Sequence, residues 1–346
     1  MYAKYTLLAC ALLAATPAVQ ARPGDDSWTL SLYMENDLFD DTDRQYTSGV
    51  RASWVSPVID SFIDDPAIPA WIRGANRALT VLDPLPARFE KDPSRRLVVT
   101  LGQQMYTPED RERTTLDPDD RPYAGWLYLG FGYHTQTRHK LNSFEVDLGV
   151  VGPWSLAHES QDLIHDLRGF DRFEGWDNQL HNEPGIQLIY ERKQRLLFGG
   201  LVDNFQHDLI GHAGGSLGNV ATYLNTGVEY RIGYNLPMDF GTSALRPGGD
   251  NSTPTAVDPR LHNEWGMHLF LSLDGRWVLR DIFLDGNTFR DSHSVDKEPL
   301  VGDAVWGVAA TWERWKLSLA NYYRTRQFEG QDGGHKFGSI SLSYSY

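Results

Sequence analysis

Apolar residues alternate with small or charged ones, at a period of two, along almost the whole of this 346-residue chain. Trp28, Leu30, Leu32 and Met34 alternate with Thr29, Ser31, Tyr33 and Glu35. Phe144, Val146, Leu148 and Val150 alternate with Glu145, Asp147 and Gly149. The last residues repeat the pattern, Ile340, Leu342, Tyr344 and Tyr346 against Ser339, Ser341, Ser343 and Ser345. Successive side chains of a strand point to opposite faces, so each such segment makes a strand with one greasy face. A helix of the same sequence would scatter these residues around its circumference. The chain is therefore read as all-β.

Two architectures can use such strands: a water-soluble sandwich with the greasy faces inside, or a transmembrane barrel with them outside. Three features favour the barrel: an export signal, abundant Tyr and Trp near strand ends, and a chain that ends on an aromatic closing a strand. Charged residues on the other face suit a polar lumen. Twelve strands are expected, near 27–36, 46–56, 96–106, 124–137, 142–151, 185–193, 196–206, 219–233, 264–283, 302–312, 315–327 and 336–346. The even count lets both termini lie on the periplasmic side, and every odd-to-even connection is then extracellular. These are 37–45, 107–123, 152–184, 207–218, 284–301 and 328–335. The even-to-odd connections 57–95 and 234–263 are longer than ordinary periplasmic turns. Within the first, Trp71, Ile72, Ala75, Ala78 and Leu79 have helical spacing, which suggests a small helix over Ala67 to Leu82 at the barrel base.

Composition removes several functions. Beyond the extreme N-terminus no apolar run is long enough for a transmembrane helix. Lys+Arg 32 against Asp+Glu 46 gives a net charge of -14, which would repel nucleic acid. Aromatics at 12% exclude a disordered chain, and one Cys excludes both a disulfide scaffold and a Cys-based zinc site. Lys4, the apolar core Leu7 to Ala15 and the small residues Val19 and Ala21 form a signal peptide over 1–21. Residues 22–346 then make one barrel domain. Leu7-Leu8-Ala9-Cys10 imitates a lipoprotein box, but few apolar residues precede it and the core continues past it.

Three segments on the expected outer face carry chemistry-bearing side chains. Glu35-Asn36-Asp37-Leu38-Phe39 and Tyr46-Thr47-Ser48-Gly49 flank the first hairpin, which gathers Asn36, Asp37 and Thr47. Hard oxygen donors grouped in this way suit Ca²⁺, and they equally suit a solvated turn. Asp120-Arg121 precedes the fourth strand; Arg121 can meet a phosphate or pair with a neighbouring acid. After Gly152-Pro153-Trp154, Ser155 is expected to cap a helix running to about Leu167. At 100° per residue, Leu156, Leu163, Ile164 and Leu167 share one face, and His158, Gln161, Asp162 and His165 the other. That polar face offers an imidazole as general base, or simply a solvated surface. Polar residues of 175–183 can support it. Gly214-Gly215-Ser216-Leu217-Gly218 fits a nucleophile elbow, but that motif works on a strand–turn–helix. Here no helix follows and it reads as a loop joining two strands.

In order, Asn36-Asp37, Tyr46-Thr47-x-Gly49, Asp120-Arg121, Gly152-Pro153 and Gln161-x-x-x-His165 resemble the outer-membrane lipid A 3'-O-deacylase family (LpxR-like). The similarity spans nearly the whole mature chain. The resemblance implies a twelve-stranded barrel whose outer-face active site removes the 3'-linked acyloxyacyl group of lipid A by Ca²⁺-dependent ester hydrolysis. It implies His165 as general base and Asn36, Asp37 and Thr47 as active-site residues, with Asp37 and Thr47 toward the metal. Arg121 would help with the lipid A phosphates. The acidic Glu35 and the two long inserts depart from the family pattern. A monomer is expected.

Other functions remain distinguishable: an outer-membrane phospholipase with a Ser-His-Asn arrangement, a non-enzymatic porin or adhesin, and a soluble periplasmic sandwich. Cleavage after Ala21 predicts a mature chain beginning at Arg22, which intact-protein mass spectrometry of purified outer membranes checks. A mass retaining residues 1–21 would reject the signal.

Overall fold

The computed structural model describes residues 27–36, 45–59, 61–62, 70, 73–74, 93–169, 171–242, 250–255 and 258–346. For 45–47 and 167–168 only the backbone is described. Twelve antiparallel strands close into a barrel, each paired to its sequence neighbours and β1 to β12. They are β1 (Thr29–Asn36), β2 (Gln45–Val55), β3 (Ser94–Thr107), β4 (Ala124–Gln136), β5 (Lys140–Val151) and β6 (Glu183–Val202). The others are β7 (Phe205–Gly218), β8 (Ala221–Tyr234), β9 (Gly266–Asp281), β10 (Leu300–Trp312), β11 (Trp315–Arg324) and β12 (His335–Ser345). Helices α1 (Ala157–Arg168) and α2 (Ile282–Asp285) accompany them. No described helix is long and apolar enough to cross a membrane. The end of the barrel at Asn36 is called upper here, and the end at the described termini lower.

Burial follows the alternation and fixes its sense. Leu32, Leu129, Leu148, Ile186, Leu269 and Leu271 are exposed on the outside, while Ser31, Ser53, Thr100, Asp147, Asp208 and Ser343 are buried within. An apolar exterior around a polar lumen is the reverse of a soluble sandwich, and it is what hydrocarbon requires.

The expected strand boundaries hold except in the middle of the chain. The outer connection expected at 207–218 is itself strand β7; β6 and β7 meet at a two-residue turn, 203–204, and the upper turn is 219–220. Charged residues and glycines both misled. Glu191, Lys193 and Arg195 look like a turn in sequence but face the lumen, where they are buried. Gly214 and Gly218 suggest a loop, yet a Cβ at either would overlap the backbone of β6, so glycine is required for close strand approach. The elbow-like Gly214–Gly218 therefore lies inside a strand rather than between two. Its Ser216 Oγ donates to the Ala221 carbonyl (3.0 Å) and accepts from Gln187 Nε2 (2.7 Å). The helix expected over Ala67 to Leu82 lies almost wholly outside the described residues.

The long β8–β9 connection folds back into the lower lumen. Asp239, carried by it, is fully buried. It accepts from Arg231 of β8 (2.5 Å), Lys316 of β11 (2.6 Å) and Arg260 of the same connection (3.2 Å). Its backbone carbonyl accepts from Arg195 of β6 (2.5 Å). Arg231 also grips Asp208 of β7 with two bonds, 2.9 and 2.6 Å. Thr242 N–H donates to Glu229 (2.8 Å). The connection is thus a plug clamped by lumen-facing side chains of β6, β7, β8 and β11, which does not suit an open pore.

Removing one partner of a buried ionic network strands the others without compensation. Asp239→Asn is expected to cost about 3–5 kcal/mol, read as a lower temperature at which the heat-modifiable band converts on gels. An unchanged conversion temperature would refute the clamp.

Candidate active site on the outer wall

The register of the strands lines up a row across the upper outer wall. Asn36 pairs with Ser48, Ser48 with Met105 and Met105 with Gly125. By alternation these residues belong to the outer face, since Glu35, Gln104 and Trp126 beside them face the lumen. Yet Asn36, Ser48 and Met105 are buried, at 2%, 1% and 1% exposure. At the Met105–Gly125 end, α1 covers the wall.

Gly125 explains the close seat. A Cβ at this position would overlap Ser155 Oγ and the Ala157 Cβ, so the start of α1 lies flat on the strand. Gln103 of β3 holds the same place by donating from Nε2 to the Ser155 carbonyl (2.6 Å). Above, Met105, Tyr123, Ala157, Phe173 and Trp176 form an apolar cluster with Ile164 packed against it. Burial there pushes the Tyr123 phenol up to about 12.

The helix begins differently from expectation. Ser155 sits in a 3₁₀ turn, Pro153–Ser155, and does not cap α1; the N-cap is Leu156 in a left-handed conformation, φ 57°. Gly152, at φ 90°, and Leu156 together turn the chain back on the barrel, which drives Ser155 against Gly125. The faces also have the opposite sense from a soluble protein. Ala157, Gln161 and His165, spaced by one turn, are buried, whereas Leu156 and Leu163 are 51% and 57% exposed with Trp154 at 69%. The polar edge faces protein and the apolar edge faces out.

His165 is held in one tautomer. Its Nδ1 lies 2.6 Å from the Asp171 carbonyl, which can only accept, so Nδ1 carries the hydrogen and Nε2 is the basic nitrogen. The ring meets Phe173 edge-on at 5.7 Å. Gln161, one turn earlier, accepts from Trp176 Nε1 (2.7 Å), while its Nε2 has no hydrogen-bond partner among the described residues. His158 stacks on Trp176 at 5.6 Å. Arg172 reaches back to Asp162 (3.0 Å) and Asp166 (2.6 Å). It holds the Asp166 carboxyl below its usual range and ties the returning segment to the helix. Gly169, left-handed at φ 72°, ends the helix by donating its N–H to the His165 carbonyl.

From Ala157 to His165 the helix advances about 12 Å, and three strand spacings from Gly125 to Asn36 span about 14 Å. The helix packs on β4 and β3, toward the Gly125 end of the row. Asp37 lies outside the described residues, and so does the side chain of Thr47. The backbone of Thr47 marks the bulge between Tyr46 and Ser48 in the β2–β3 register. Ser48 Oγ, beside it, is buried without a hydrogen-bond partner among the described residues. No three described His, Cys, Asp or Glu side chains gather to hold a metal. The donors at this end of the row are the Asn36 amide and the Ser48 hydroxyl, neutral hard oxygens that fit Ca²⁺ once a carboxylate joins them. Ser48, Gly125 and Trp176 lie in segments the sequence marks, but their own roles depend on register and on where the helix lands.

Arg121 belongs to a cap of loops over the upper mouth rather than to this wall. It is fully buried, its guanidinium 4.8 Å from the Tyr106 ring and 5.9 Å from Phe328, with Nη1 donating to Gln327 (3.5 Å). Burial lowers its pKa, with Asp281 opposing. Asp120 beside it accepts from the Glu109 and Arg121 N–H groups, 2.6 and 2.7 Å, which is a turn-forming role. A phosphate could meet Arg121 only from inside this cap.

The family model described as "Outer membrane protein LpxR" matches residues 7–346. LpxR from Salmonella typhimurium superposes with a TM-score of 0.70 at 16% identity, covering 91% of this chain and 99% of that one. The β domain of the Bordetella autotransporter BrkA gives a TM-score of 0.43 at 8% identity, covering 93% and 99%. The translocator domain of NalP from Neisseria meningitidis gives 0.36 at 9%, covering 99% and 96%. Among curated proteins none matches the sequence.

Filling the flat spot under the helix should loosen it without opening the barrel. Gly125→Leu overpacks this contact by about 1–3 kcal/mol, so limited proteolysis within 157–168 should accelerate about tenfold while heat-modifiable migration persists. Unchanged proteolysis would show that α1 is not seated on Gly125.

Proposed function

The chain belongs to the LpxR family of outer-membrane proteins, and on that footing we propose that it is a lipid A deacylase. It hydrolyses the 3'-linked acyloxyacyl ester of lipid A in the outer leaflet, with its upper end facing the cell exterior. The observation that carries this reading is the imidazole of His165, fixed through Nδ1 and buried under a helix whose other side is apolar. A lipid ester sits where head group becomes acyl chain, so a base between a polar wall and a greasy edge is at the right depth.

In the proposed reaction His165 Nε2 takes a proton from water as the water oxygen attacks the ester carbonyl. The tetrahedral intermediate collapses, the acyl group leaves as the fatty acid, and the sugar oxygen recovers the proton from the imidazolium. Nδ1–H, bonded to the Asp171 carbonyl, keeps the ring oriented through both transfers. Asn36, at the far end of the row, orients the carbonyl or the water through its amide. Asp37, Thr47 and Asn36 would hold Ca²⁺, with Asp37 supplying the anionic ligand. Bound there, Ca²⁺ supplies positive charge for the developing oxyanion. Arg121, shut in the loop cap, acts in this proposal by its charge behind the wall rather than by touching the surface of the membrane. A serine nucleophile is unnecessary, and Ser216 is already committed to neighbouring bonds within the lumen.

Expressed in a lipid A-producing host, the wild type should yield lipid A lighter by its 3'-linked acyl group on mass spectrometry. His165→Ala should reduce the rate by about 10²–10⁴-fold, the share of a general base. Unchanged lipid A from the wild type would reject the proposal, and full activity in the variant would remove His165 from it. EGTA should abolish the mass change and added Ca²⁺ restore it. Asp37→Ala should recover activity only at excess Ca²⁺; activity indifferent to chelation would rule out the metal.

A further inference from the structure

Glu35 and Asn36 are consecutive, so one faces the lumen and the other the outer wall. The same holds for Gln104 beside Met105 and for Trp126 beside Gly125. Glu35, Gln104 and Trp126 line a partly open cavity of about 90 Å³ in the upper lumen. It therefore shares a wall one strand thick with the outer-wall site. At roughly 10–15 Å³ per water it holds about six to nine waters, the bulk of a single sugar ring.

The walls of this chamber are chemically selective. Its guanidinium groups are engaged in ion pairs: Arg324 binds Asp303 twice, 2.8 and 3.0 Å, and Arg276 binds the same carboxylate at 3.1 Å, its Nε lying 3.8 Å from Asp274 without a hydrogen bond. Arg280 is spent on the Asn219 and Gly286 carbonyls and on Thr288. The carboxylates Glu35, Glu191 and Asp281 in the same lining offset the guanidiniums of Arg276, Arg280 and Arg324, so the chamber offers a free anion no net positive charge. What remains is a set of single donors and acceptors. Trp126 Nε1, Gln187 Oε1 and Arg276 Nε are buried with no hydrogen-bond partner among the described residues. Trp126 and Gln187 are each 1% exposed. A hydroxyl both donates and accepts, so a hydroxyl-rich molecule can answer a lone donor and a lone acceptor together, whereas a phosphate can only accept. The rings of Trp126, Tyr106 and Phe283 complete the lining, Tyr106 stacked on Phe283 at 4.1 Å, apolar surface of the kind that receives the C–H face of a sugar.

We propose that the upper lumen is a binding site for a neutral, hydroxyl-rich sugar unit, held by Trp126 Nε1, Gln187 Oε1 and Arg276 Nε. If the deacylase reading is right, the sugar is one carried by the lipid substrate, reaching over the rim while its ester meets the outer wall. The site itself does not depend on that reading.

The test uses the full mature chain in detergent, with binding followed by microscale thermophoresis. The probes are deacylated core oligosaccharide from rough lipopolysaccharide, intact rough lipopolysaccharide, and lipid A stripped of core sugars. Wild type is compared with Gln187→Met, which keeps bulk and loses the acceptor, and Trp126→Phe, which loses the donor. The oligosaccharide should bind the wild type and weaken at least tenfold in each variant. A sugar arriving on the lipid predicts that rough lipopolysaccharide outbinds stripped lipid A and that Gln187→Met erases the difference. Equal binding of the two lipids, with variant-sensitive oligosaccharide binding, assigns the site to a free sugar. No oligosaccharide binding, or binding indifferent to both variants, means a water-filled chamber only and overturns the proposal. Should Trp126→Phe lose heat-modifiable migration, Gln187→Met alone decides. Variant-sensitive binding by a chain that leaves lipid A unchanged would end the deacylase reading and keep the sugar site; deacylation without sugar binding would do the reverse.

Discussion

Everything in this molecule depends on the hydrogen bonds that join β1 to β12. In hydrocarbon an unpaired strand edge has no water to satisfy it, so a sheet must close on itself. The join is complete from Thr29 opposite Ser345 to Asn36 opposite Gly338. Trp28 and Tyr346 extend it with two backbone bonds of 2.9 Å, and the hydroxyls of Thr29 and Ser345 meet at 3.0 Å in the lumen. Closure also fixes the two sides of every strand, and with them the division of labour between a polar interior and a greasy exterior.

That division gives the upper wall its character. A single strand separates Asn36 from Glu35, and each faces a different solvent. The outer wall would normally meet lipid, but α1 lies on it and adds a buried Gln161 and His165 to the buried Asn36 and Ser48 of the strands. Fixed partners hold both side chains in place: the Asp171 carbonyl accepts from His165, and the Trp176 indole donates to the Gln161 carbonyl oxygen. The helix in turn keeps Leu156 and Leu163 outward, so the polar site is roofed by an apolar surface continuous with the barrel belt.

The barrel was legible because alternation is local: the strand count, the parity of the connections and the sense of the faces all follow from period two. It failed where local composition imitates a turn. The run Glu191, Lys193, Arg195 and the glycines of β7 are loop-like in isolation, and only the plug and the neighbouring backbone explain them as strand. The helix was visible from its polar and apolar faces, but not which face would be covered, since that depends on lipid rather than water lying outside. Ser155 looked like a cap and became a seat, because Gly125 can be recognised as a flat spot only after β4 and the loop are brought together. The family-like residues Asn36 and His165 were readable as motifs. Ser48 and the shared row were not, for pairing register is a property of two strands at once.

The plug carries an implication for how the molecule is built. Its carboxylate and carbonyl at position 239 hold side chains from β6 and β8, on either side of β7, and from β11, three strands further round. A sheet that curled shut without the insert would trap those cations facing one another with too few anions. The insert is therefore a mandrel within the rolled sheet: it brings the counter-charge that lets those cations face inward, so plug and closed wall stabilise one another.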